Sequence, residues 1–160
     1  MYPRFNKLIS AATLTALLLW GCAAQRDVSR GGGANATDSR PCIANFSMEG
    51  SFWSGRTVKS FQEYPNSSKV PAFAYLVTKL ASIGYKINSS DKDVGLVSAS
   101  YEVGFGQGAT TNMNAMVTEH NPTGVRVDLT FTAAGGVAFG LDDIHKEFCS
   151  ILEGVPPLKK

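Results

Sequence analysis

The stretch Val125–Ala133 reads VRVDLTFTA and alternates apolar with polar side chains along its whole length. In a β-strand, successive side chains point to opposite faces, so this pattern predicts a strand with one buried and one solvated face. A sheet of such strands needs a cover on its apolar face only. The apolar set is Val125, Val127, Leu129, Phe131 and Ala133, and the polar set is Arg126, Asp128, Thr130 and Thr132.

Two segments with apolar residues at helical spacing, Ser68–Ile83 and Leu141–Leu152, are predicted to be the helices that supply this cover. The element order β-α-β-β-β-β-α predicts an α+β fold, a two-layer sandwich with an antiparallel sheet covered on one face by both helices. The remaining strands are predicted over Arg56–Tyr64, Tyr85–Ser90, Val94–Val103 and the region around Met113–Val117, with Ile43–Met48 as a candidate for a further short strand.

The first residues have the pattern of an export signal. A positive segment that contains Arg4 and Lys7 precedes Leu8–Trp20, which carries no charge and is too short to span a bilayer as a helix. The following Leu19-Trp20-Gly21-Cys22 resembles the lipobox of bacterial lipoproteins. That resemblance implies a signal peptide over residues 1–21, cleavage before Cys22 and acylation (palmitate) of its thiol; the alternative is an ordinary signal peptide. Ala23 resembles the residue that directs lipoproteins to the outer membrane.

The charge balance changes once this segment is set aside. The chain has 160 residues, 15 basic and 13 acidic, and the two excess positive charges lie in residues 1–21. A neutral remainder argues against a nucleic-acid partner, because nucleic-acid binding needs a basic face. Residues 22–40 lack aromatics, contain three consecutive glycines and predict a flexible linker. A single domain over residues 41–155 and a tail over 156–160 complete the predicted organisation.

Two cysteines remain besides Cys22, and an oxidising periplasm favours a disulfide between Cys42 and Cys149. Such a bridge would join the start of the domain to its last helix. The alternative is a reactive Cys149 activated by His145, which lies four residues earlier on the same helical face.

Other catalytic and metal-binding patterns are not found in the sequence. The glycines of residues 104–108 do not have the spacing of a dinucleotide fingerprint, and no cofactor or metal site is expected. Phe52 and Trp53, which lie between Gly50 and Gly55, are the candidate partner-binding residues. The competing interpretation is that both rings fold under as a lid on the core, because a small domain rarely exposes two large aromatics.

The helix followed by Gly84-Tyr85-Lys86-Ile87, then Asp91, Gly95 and a long strand, resembles the helix-grip domains of the C subunit of the outer-membrane β-barrel assembly machine. This resemblance covers residues 56–133 and bears on the fold. We expect a lipoprotein anchored to the outer membrane on its periplasmic face, acting as a non-enzymatic binding or accessory subunit. Its expected partners are the membrane, through the lipid, and an envelope protein or the cell wall. The alternative is a cell-wall or periplasmic enzyme that uses Cys149 and His145.

Overall fold

The central feature of the fold is a six-stranded, fully antiparallel sheet in the strand order β1-β2-β6-β5-β4-β3. A computed structural model describes residues 38–104, 109–120 and 124–158. The predicted α+β class with an antiparallel sheet is confirmed. The strands are β1 (Ser47–Ser51), β2 (Gly55–Tyr64), β3 (Lys86–Asp91), β4 (Leu96–Glu102), β5 (Thr110–His120) and β6 (Gly124–Ala133), and the helices are α1 (Pro41–Ala44), α2 (Lys69–Ser82) and α3 (Leu141–Leu152).

Strand β6 lies between two other long strands, β2 and β5. Its buried and half-buried side chains alternate as predicted from the sequence. Its five apolar side chains are buried, whereas the polar side chains between them are half-buried on the opposite face. The register brings Phe131 opposite Val58 of β2 and Val127 opposite Val117 of β5. The buried face therefore continues across the sheet, because directly opposed residues share a face.

Each long helix buries one stripe. Helix α2 buries Leu76 and Leu80 and packs against strands β3 to β6. Pro71 falls in its first turn, where the missing N–H breaks no helical hydrogen bond, and Gly84 follows its end with a φ of 99°. Helix α3 buries Phe148 and its apolar neighbours and packs against α1, α2 and β2.

The start of the domain differs from the prediction. Over Ile43–Met48 we expected a short strand, but Pro41–Ala44 forms one helical turn and strand β1 begins at Ser47. Pro41 occupies the first turn, where its fixed φ suits a helix. Strand β1 then forms a hairpin with β2, so the observed order is α-β-β-α-β-β-β-β-α. The edge strand β1 escaped prediction because only its first two residues are partly buried, which leaves no alternating pattern.

A disulfide between Cys42 and Cys149 joins α1 to α3, as predicted. Both cysteines are buried, and the bridge links residues 107 positions apart. The chain around Cys42 is also held by hydrogen bonds: the Ser60 hydroxyl donates to the Cys42 carbonyl at 2.8 Å, and the Asn45 amide donates to the Phe61 carbonyl at 2.9 Å. The first segment of the domain is therefore fixed both to α3 and to the middle of β2.

Breaking the bridge should lower the free energy of unfolding by about 4 to 5 kcal/mol, because the unfolded chain regains the entropy of a loop of this length. Urea unfolding with and without reductant measures this difference. The double variant Cys42→Ala/Cys149→Ala is the matched control and should be insensitive to reductant. A wild-type midpoint that reductant leaves unchanged, or two free thiols at these positions in unreduced protein, would contradict the bridge.

Candidate functional site

The hairpin turn between β1 and β2 carries the two predicted partner-binding aromatics, Phe52 and Trp53. Their neighbours Ser51 and Ser54 close the turn: the two hydroxyl oxygens lie 2.8 Å apart, and each backbone N–H donates to the hydroxyl of the other serine at 3.2 Å. Strand residue Gly55, with a φ of 94°, leads the chain out of the turn into β2. A side chain would strain that conformation, so glycine is needed there.

A second segment braces the same turn from behind. The Gly136 N–H donates to the Phe52 carbonyl at 2.8 Å. Gly135 lies so close that a Cβ added to it would be 2.3 Å from the Trp53 carbonyl oxygen. This pair of glycines, which follows β6 after Ala134, was not predicted to have a role, although glycines beside a strand are a signal for a close backbone approach. The turn backbone is therefore held from both sides.

The aromatic side chains point outward from this braced turn. Trp53 is 85% exposed and Phe52 is 39% exposed. The two rings contact each other edge to face, with centroids 5.0 Å apart and an interplanar angle of 78°. The lid interpretation, in which both rings cover the core, is therefore not what the structure shows. The turn instead presents a small apolar surface, which we call the aromatic turn (Ser51–Ser54).

The structure places Cys149 and His145 close together but not as a nucleophile and a base. The Cys149 sulfur is bonded to Cys42, so it is not a thiol, and the same bond removes the two cysteines as thiolate ligands in their cluster with Glu153. His145 is 6% exposed and its ring lies 3.9 Å from that of Phe46. Its Nε2 has no hydrogen-bond partner among the described residues. Burial lowers the pKa of this imidazole, and Asp142 and Asp38 oppose that effect.

Family models and curated proteins were both compared with this chain. No protein-family model matches the sequence, and no curated protein matches it either. The predicted signal peptide, the predicted lipidation site Cys22 and most of the predicted linker lie outside the described residues, as do residues 105–108 of the glycine-rich stretch 104–108. None of the helices in the described part of the chain is both long and apolar enough to cross a membrane.

Replacing Trp53 with alanine should change the free energy of unfolding by no more than about 0.5 kcal/mol, because the ring contributes little to the core. Urea unfolding measures this. The comparison variant Leu76→Ala removes a fully buried side chain and should cost about 2 to 5 kcal/mol. A loss for Trp53→Ala close to that of Leu76→Ala would mean that the ring supports the fold.

Below pH 6.5, the ordinary pKa of histidine, burial of His145 should make the protein progressively less stable. The folded state binds this proton less readily than the unfolded state, so the stability that is present above that pH is lost as the pH falls. His145→Gln should lack this component. The matched control is His120→Gln at a half-exposed histidine. Unfolding curves between about pH 5 and 8 give the comparison, and identical pH profiles for wild type and His145→Gln would contradict it.

Proposed function

We propose that this protein is a lipid-anchored periplasmic lipoprotein of the bacterial outer membrane and that it acts as a non-enzymatic binding or accessory subunit. In this proposal a protein partner of the envelope binds the aromatic turn. The observation that carries it is the 85% exposure of Trp53 on a turn whose backbone is braced by Gly136. The exposed Trp53 ring contributes little to the packing of the core, and the ordered turn keeps it accessible to a partner.

The aromatic turn has the chemistry of an interface centre. Tryptophan is enriched among the residues that dominate binding free energy, and it gains most where a partner removes its rings from water. Because the turn is already ordered, binding loses little backbone entropy. The ion pair between Lys59 and Glu49, with 3.5 Å between nitrogen and oxygen, adds exposed charges of both signs on the adjoining strands. Polar and charged groups near an aromatic centre are typical of protein interfaces.

The placement of the linker supports an anchored binder. The domain starts beside Cys42, whose carbonyl accepts a hydrogen bond from the Ser60 hydroxyl of β2. Ser60 lies five residues along β2 from Gly55, which is about 17 Å in an extended strand. The proposed linker thus joins the domain well away from the aromatic turn. A lipid on Cys22 would hold the protein at the membrane and leave the turn free to meet a partner.

We also infer the two-layer arrangement, with both long helices on one face of the sheet. Support comes from the contacts: α2 packs against β3 to β6, and α3 packs against β2 and against α2 itself. In β5 and β6 the buried side chains alternate with side chains that stay partly accessible, most of them polar, as expected when only one face is covered. The short helix α1 then adds to the same layer through its contact with α3.

A photo-reactive amino acid at position 53 tests the proposal in intact cells. We expect a covalent adduct with one envelope protein, because the partner covers this side chain. The same amino acid at position 70 is the matched control, since Val70 is an exposed apolar residue on α2. Adducts of equal yield and identity from both positions, or none from position 53, would contradict a binding role for the turn.

A second part of the experiment displaces the backbone of the aromatic turn and keeps both rings in place. Gly135→Ala forces a Cβ against the Trp53 carbonyl and should reduce the adduct yield severalfold. Gly104→Ala is the control, because an added Cβ there meets nothing within 4 Å. Cys22→Ala should separately release the protein from the membrane fraction. Retention of that variant in the membrane would contradict the lipid anchor and leave the binding result standing.

A further inference from the structure

A cavity of about 470 Å³ lies between one end of the sheet and the first half of α3. Its volume is within the usual range of small-molecule sites. The loop before α3 and residues from three strands contribute to its wall, which is mainly apolar and aromatic. The aromatic residues of the wall are Tyr85, Tyr101, Phe131 and Phe139.

A partly buried hydrogen bond in this wall joins Tyr85 to Glu147. The Tyr85 hydroxyl donates to Glu147 Oε1 at 2.7 Å, and the tyrosine residue is 6% exposed. Burial raises the pKa of the Glu147 carboxyl, and the hydrogen bond from Tyr85 partly opposes this. The carboxylate therefore lacks full solvation. Among the described residues, no lysine or arginine forms an ion pair with it.

The charge of the wall has one sign. Its described residues include two acids, Glu147 and Asp143, and no lysine, arginine or histidine. Asp143 is exposed and lies 3.8 Å from Lys146, so its charge is partly balanced at the surface. Glu147 is half-buried, and none of the ion pairs among the described residues includes it. The cavity thus combines aromatic rings with a half-buried carboxylate.

We propose that this cavity binds a small organic amine whose apolar, ring-containing body fills the aromatic wall and whose ammonium group contacts Glu147. An ammonium donor forms a charge-assisted hydrogen bond to the carboxylate and supplies the positive charge that the wall lacks. Tyr85 and Tyr101, whose ring centroids are 5.7 Å apart, both line the cavity, and tyrosine rings attract cations. This site is separate from the aromatic turn and does not depend on the function proposed for it.

Three probes of nearly the same shape separate charge from apolar fit: 2-phenylethylamine, 2-phenylethanol and phenylacetate. Isothermal titration calorimetry on the purified full-length protein at neutral pH measures the affinity of each. We expect the amine to bind at least tenfold more tightly than the alcohol, and phenylacetate to bind more weakly than both, because the carboxylate repels it.

Variants assign the effect to one carboxylate. Glu147→Gln should weaken the amine about tenfold or more and leave the alcohol unchanged, because only the charge-assisted contact is lost. Asp142→Asn, which alters an exposed acid on the same helix that does not line the cavity, should leave all three affinities unchanged. Equal affinities for amine and alcohol, no binding of the amine at millimolar concentration, or an amine affinity that survives Glu147→Gln would each overturn the proposal.

Discussion

One face of β6 is apolar along its whole length, and exclusion of water from that face is the constraint on which the rest of the fold depends. Each large apolar side chain buried there contributes about 1.5 to 3 kcal/mol, and the same face continues into the strands on either side. Helix α2 is in contact with β3 to β6, and α3 is in contact with α2 and β2. With the core closed in this way, the features that could serve binding lie at the ends of strands, where the apolar cover stops.

The disulfide fixes the first segment of the domain to this core. Helix α1 is a single helical turn, which is too short to be stable on its own. The bridge and the hydrogen bond from Ser60 to Cys42 hold it against α3 and β2. This packing also explains why His145 is buried: Phe46, which follows α1, lies against its ring. A histidine that looked like a catalytic base beside Cys149 is therefore part of the contact that secures the first segment.

Regular periodicity explains which elements could be predicted from the sequence. Strand β6 and both long helices follow their patterns because one face of each is buried. Strand β1 has a mostly exposed surface, so it left no such pattern. The turn that carries Phe52 and Trp53 was predicted correctly. Large aromatics in a small domain are usually buried, so the sequence did not indicate that these two rings would be exposed. Their position follows from the backbone of the turn, which Gly135 and Gly136 contact. The Glu147 cavity had no sequence signal, because its wall is assembled from residues as far apart as Tyr85 and Phe139.

The segment from Ala134 to Gly140 joins the aromatic turn and the cavity, the two sites proposed to bind partners. Gly136 bonds to the aromatic turn, whereas Val137 and Phe139 line the cavity. Arg56 contacts this segment at two residues. Its guanidinium lies 3.7 Å from the centre of the Phe139 ring and donates to the Val137 carbonyl at 3.3 Å. A ligand that displaced Phe139 would therefore also disturb Arg56, which directly follows the last glycine of the hairpin. Only two or three residues separate the cavity from the turn, so binding at one site can change the affinity of the other. A ligand that strengthens the contacts of Arg56 would have the opposite effect from one that weakens them.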